Sequence, residues 1–116
     1  MDFPELNHPQ RGYRFYPERD AIPELYETED VPLAQKVVHE HFFVRGGTGE
    51  WHVFEVESSS ATSCIAFAMC DLGTPELGYV DLVALESLRI DRPGLPPIVV
   101  ERDVNWQPRP WSKVER

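Results

Sequence analysis

A chain of 116 residues with 41% hydrophobic content is sized for one domain around one core. No apolar run approaches the roughly 20 residues that span a bilayer, and the start Met1-Asp2-Phe3-Pro4-Glu5 is acidic where a signal peptide is basic, so the reading is a cytoplasmic protein with no membrane partner. The formal net charge is −9, and residues 18–88 carry fourteen acids against three bases. That balance disfavours direct nucleic-acid binding by the surface as a whole, because such affinity rests on neutralising phosphates.

Residues 1–21 hold three prolines and follow neither period 2 nor period 3.6, which predicts an irregular N-terminal arm ahead of a single domain over residues 22–116. Its aromatics Tyr13, Phe15 and Tyr16 are expected to tack the arm to the core rather than to stack on bases. Ile22-Pro23-Glu24-Leu25-Tyr26 suits one helical turn with Pro23 at its first position. Residues 36–44, rich in Val and Phe, predict a strand. Gly46-Gly47-Thr48-Gly49 predicts a hairpin loop, and residues 51–56 the returning strand. A third strand is predicted over residues 62–70. It sets Ile65, Phe67 and Met69 on one face and the small residues Cys64, Ala66, Ala68 and Cys70 on the other, where a helix can approach closely.

Residues 72–76 read as a turn and Gly78-Tyr79-Val80 as a short extended piece. Then comes the one clear helix signal. Asp81 is a good N-cap, Leu82, Leu85 and Leu88 recur at helical spacing, and Pro93-Gly94 reads as the stop. A last strand over residues 96–101 is followed by an extended tail anchored by Trp106 and Trp111. The expectation is therefore an α+β fold: a small, mostly antiparallel sheet of about four to five strands, one main helix, and extended arms at both ends.

Chemistry-bearing constellations are sparse. His39 and His41 share a strand face, and His52 on the returning strand falls opposite Phe43 or Val44 in the expected hairpin, leaving its face open. Three imidazoles would suit zinc with an open position, but half-exposed strand positions are the plainer reading. Glu24, Glu27, Glu29 and Asp30 crowd one loop without a glycine or the alternating spacing of a cation loop. Glu101 and Asp103 share a face at the end of the last strand, which reads as an ion-pairing strand end. Cys64 and Cys70 sit in one strand. Six residues of strand span roughly 20 Å, too far for a disulfide, so both read as reduced core thiols. No catalytic residue, cofactor or metal site is expected.

Pro23-Glu24-Leu25-Tyr26-Glu27-Thr28-Glu29, the strand ending Phe42-Phe43, Trp51 to Glu55, Glu76-Leu77-Gly78-Tyr79 running into Leu82 and Leu85-Glu86, and Val100-Glu101-Arg102-Asp103 with Trp106 and Pro108 together resemble a family of small bacterial proteins known only as domain of unknown function 2958. The resemblance covers about residues 22–114, and the Gly-Tyr before the leucine-rich turn and the Glu-Arg-Asp are its most distinctive points. It implies carriage on plasmids, integrative elements and phage-like regions. It also implies an accessory role in transfer, maintenance or evasion of host defence, and no assigned catalytic residue.

With the acidic balance, this gives the functional expectation: a non-enzymatic acidic interaction protein from a mobile element, of the anti-CRISPR or anti-restriction kind. It would bind the basic surface of a nucleic-acid-handling protein through Glu24, Glu27, Glu29 and Asp30. The alternatives are a metal-dependent enzyme using His39, His41 and His52, and a nucleic-acid-binding accessory protein using the aromatic arm and the basic tail.

Overall fold

The computed structural model describes residues 3–18, 21–46 and 48–115. Met1 and Asp2 of the acidic start, Arg19 and Asp20 of the arm, Gly47 of the hairpin loop and Arg116 lie outside the described residues. The fold is mostly β, which corrects the expected α+β arrangement of four to five strands and one main helix. A six-stranded antiparallel sheet runs in the order β5-β4-β3-β2-β7-β6. Its strands are β2 (Glu40–Val44), β3 (Glu50–Val56), β4 (Ile65–Asp71), β5 (Pro75–Asp81), β6 (Arg89–Arg92) and β7 (Leu95–Arg102). A second sheet pairs β1 (Val37–Val38) with β8 (Arg109–Pro110).

The helix over-reading has a local cause. Asp81 does cap a helix, its side chain accepting from the Val83 N–H at 3.0 Å, but that helix, α2, covers only Leu82–Ser87. Leu82 and Leu85 are buried, whereas Leu88 lies past the end and is 52% exposed, so the stripe is two residues long. Pro93-Gly94 does not stop a helix. It is the tight turn joining β6 to β7, with Gly94 at φ +71 after a proline, the order a type II turn demands. β5, of which only Gly78-Tyr79-Val80 was expected to be extended, and the unexpected β6 are the two edges of the sheet, where Pro75, Gly78 and an all-exposed Arg-Ile-Asp-Arg are tolerated because only one side of the strand is hydrogen-bonded. The expected helical turn at Ile22–Tyr26 does not form: residues 22–24 are irregular and a run of turns covers residues 25–30, with Glu27 N–H bonded to Glu24 C=O, Glu29 N–H to Tyr26 C=O and Val31 N–H to Thr28 C=O.

Both faces of the sheet are covered. One face carries Phe42, Trp51, Val53, Val56, Ala66, Ala68 and Val100, packed against Leu82 and Leu85 of α2 and against Phe15 and Tyr16 of the arm. α2 lies against β5 and β7, and its Leu82 and Leu85 share this core with Ala66 and Ala68 of β4. The arm includes a short helix, α1 (His8–Arg11), and Arg11 is buried. The other face gathers Val38, Phe54, Phe67 and Met69 under Trp106 and Trp111 of the C-terminal tail, and the Trp106 indole N–H donates to Val38 C=O at 2.9 Å. A β-bulge between Val53 and Glu55 breaks strict alternation on β3. It keeps Val56 in the first core while Phe54 packs in the second and Glu55 pairs across from Phe67.

Candidate functional site

The hairpin of β2 and β3 sets the geometry. Phe43 pairs with Glu50, which brings His41 directly opposite His52, not Phe43 or Val44 opposite His52 as expected from the loop length. Gly49 opens the return, where a Cβ would meet the Val44 Cγ2 at 3.2 Å and the Trp51 ring at 3.3 Å and would make these side chains give by a few tenths of an ångström. Cross-strand partners point to one face, and Glu50, two residues before His52, shares that face. The two imidazoles stack with centroids 4.5 Å apart and planes 13° apart. His41 Nε2 lies 2.8 Å from Glu50 Oε1, and its Nδ1 lies 3.5 Å from Asp103 Oδ2. Trp106 and Trp111 wall the pair, with ring centroids 5.7 and 5.4 Å from His52. His52 is 5% exposed, whereas Glu50 is exposed.

His41, Glu50 and Asp103 open onto a groove of about 700 Å³, lined further by Tyr13, Asp71 and Glu101 among others. Glu101 is held by Arg45, whose Nε and Nη2 donate at 2.5 and 3.0 Å, and this contact keeps the Glu101 carboxyl below the usual carboxylate range. Arg102, which also lines the groove, donates to the Arg14 and Phe15 carbonyls, fastening the arm. His39 does not join the cluster. It lies in the break between β1 and β2, its N–H donates to Val53 C=O, its Nδ1 is buried without a hydrogen-bond partner, and burial lowers its pKa. Cys64 is buried and Cys70 half-buried, and burial raises the Cys70 pKa, the opposite of what an activated nucleophile needs.

The acidic loop is built from beneath. Glu55, 3% exposed, accepts from the backbone N–H groups of Tyr26 and Thr28 at 2.8 and 3.1 Å and from the Thr28 hydroxyl. Lys36, buried as well, reaches Glu55 at 3.9 Å and donates to Thr28. These contacts hold Tyr26 at φ +70, a left-handed conformation uncommon outside glycine. The Tyr26 side chain is 61% exposed, and its hydroxyl is the main influence raising the pKa of the exposed Tyr79 on edge strand β5. Glu27, Glu29 and Asp30 are exposed around this tyrosine pair, and Glu24 is half-buried, within reach of the Ser58 hydroxyl. Sequence reasoning located the acids but missed Tyr26, Tyr79 and the Glu55–Lys36 support. The only available signal was a Glu in a strand pattern, Trp51 to Val56, whose other residues are apolar except His52.

Glu40 of β2 supplies a pH-dependent element. Burial pushes its carboxyl up to about 7, against the opposing attraction of Arg102. A raised folded-state pKa means that the folded chain holds a proton the unfolded chain has released, so stability falls as pH rises from about 4.5 through about 7. Glu40→Gln is therefore expected to match the wild type near pH 4.5 and to exceed it by about 1–2 kcal/mol at pH 8, the carboxyl being partly solvated. Urea midpoints at the two pH values check this, and equal midpoints at pH 8 would contradict it.

The fold and these two surface features define a small mostly-β domain with an acidic face and a histidine–carboxylate groove. The family model described as "Protein of unknown function (DUF2958)" matches residues 24–112, and the chain belongs to that family. No curated protein and no solved structure matches it. No helix among the described residues is long and apolar enough to cross a membrane.

Proposed function

We propose that this protein is a small acidic interaction module that binds a basic surface on a nucleic-acid-handling protein. The observation that carries the reading is the Glu24–Asp30 loop, in which a buried carboxylate and a buried lysine are used to hold an exposed tyrosine at positive φ. Backbone strain of this kind costs about 1–3 kcal/mol and persists where the surroundings over-determine it. A loop ordered in advance loses less entropy on association. Tyrosines serve as interface anchors, and the acids beside Tyr26 and Tyr79 would steer a basic partner toward them. The mobile-element setting implied by the resemblance fits an inhibitor of host defence, of the anti-CRISPR or anti-restriction type, because such targets present basic nucleic-acid grooves. The module acts by occupying a surface, not by catalysis.

An affinity pull-down from bacterial lysate, with and without nuclease, should recover a partner that survives nuclease. Against that partner, the triple variant Glu27→Gln, Glu29→Gln, Asp30→Asn should associate on the order of tenfold more slowly at low salt. The difference should vanish near 1 M salt, where the Debye length is about 3 Å. Tyr26→Ala should instead speed dissociation. A triple variant with the wild-type rate and salt slope would reduce this face to a solvated surface.

A further inference from the structure

We propose that His41, Glu50 and His52 form a binding site for one divalent ion of the zinc class, with Asp103 behind His41 and one coordination position open to the groove. The proposal is independent of the interaction surface above and departs from the expectation of no metal. The donor set follows from register: His41 opposite His52, and Glu50 two residues along the same strand, all on one face. Their ligand atoms lie within 4.8 Å of one another.

Zinc ligands sit about 2.1 Å from the ion, hence about 3.4 Å apart in a tetrahedron. His41 Nε2 and Glu50 Oε1, at 2.8 Å, are already closer than that. The ion would replace the proton they share, with Glu50 swinging outward and the His52 ring turning toward it. Glu50 is free to do so, its side chain being 50% exposed.

The surroundings have the features of a metal site. A ligating histidine is usually oriented by a carboxylate on its other nitrogen, and Asp103 Oδ2 stands 3.5 Å from His41 Nδ1. Trp106 and Trp111 form a dry wall behind His52. Two imidazoles and one carboxylate suit borderline ions such as zinc, whereas calcium and magnesium take oxygen-rich cages. Three protein ligands leave the fourth position for water or an incoming donor. That position faces the groove, since His41, Glu50 and Asp103 all line it. The competing account is a stacked histidine pair that merely packs against the tryptophans, and binding separates the two.

The test uses the full chain, stripped with chelator, and titrates zinc sulfate by calorimetry and cobalt(II) chloride by visible absorption. The expected result is one ion per chain with a Kd at or below about 10 μM. Bound cobalt should show d–d bands of a four- or five-coordinate nitrogen–oxygen site. Glu50→Gln and Asp103→Asn should each weaken binding about 10- to 100-fold, and His41→Asn and His52→Asn should abolish it. His8→Asn and His39→Asn should bind as the wild type does. Circular dichroism verifies folding, and because Glu50 is exposed, Glu50→Gln keeps the test decisive if a histidine variant does not fold. No binding at about 1 mM ion, or binding unchanged in Glu50→Gln and Asp103→Asn, overturns the proposal.

Discussion

Replacing Glu86 with alanine is expected to cost about 3–5 kcal/mol of folding stability, the range for breaking a buried ion pair by removing one partner. Glu86 is 1% exposed. Its Oε2 accepts from Arg11 Nη1 at 2.6 Å and from the Asn7 N–H at 2.8 Å, and its Oε1 accepts from the Leu6 N–H at 2.9 Å. Arg11 also donates to the backbone carbonyls of Glu86 and Val100, at 3.1 and 2.7 Å. One carboxylate thus fastens the N-terminal arm to α2 and, through Arg11, to β7.

The double variant Arg11→Met with Glu86→Leu gives a sharper outcome. An isolated buried pair can often be exchanged for apolar residues at little cost. Here two backbone N–H groups would still lose their acceptor, at about 1–3 kcal/mol each. The double variant should therefore remain at least about 2 kcal/mol less stable than the wild type in urea titration. Full recovery would mean that the arm contributes little. Limited proteolysis of Glu86→Ala should cut first within the arm, because the clamp is what keeps that segment docked.

Leu85→Ala is expected to cost about 2–5 kcal/mol, the usual range for a buried leucine. Leu85 is 4% exposed and belongs to the core cluster on one face of the sheet. Its helix has only six residues, so it cannot persist on propensity and depends on this contact. Leu88→Ala, at a position 52% exposed, should shift the denaturant midpoint little. Equal midpoints for Leu85→Ala and the wild type would mean that α2 does not seal the core.

The histidine cluster shows where a one-dimensional reading stops. His41 and His52 were legible as residues that might meet, because both fall in strands of one hairpin. Which residue faces which depends on the turn, and a shift of two positions moves His52 from Phe43 to His41. Glu50 could not be recognised as their neighbour until that register was known. Asp103 directly follows β7, which is brought beside β2 by a crossover that nothing in the local pattern announces. The acidic loop divides in the same way. Its charge is plain in the residues, while its shape depends on Glu55, delivered from the neighbouring strand by a bulge.

The amino-acid order alone determined the features that arise between near neighbours. Among them are the Asp81 cap, the alternating faces of β4, the hairpin between β2 and β3, and the membership of a family recognisable over most of the chain. These rest on sterics and hydrogen bonds spanning a few residues, so they leave a local imprint. Only the tertiary structure decided that the extended Gly78-Tyr79-Val80 belongs to a full strand, Pro75–Asp81, and that Arg89–Arg92 is a strand, because edge strands owe their form to a neighbour's hydrogen bonds rather than to their own pattern. Likewise, only the fold decided that Glu86 is buried, since its charge is tolerable inside because Arg11, 75 residues away in the chain, and the Leu6 and Asn7 N–H groups meet it there.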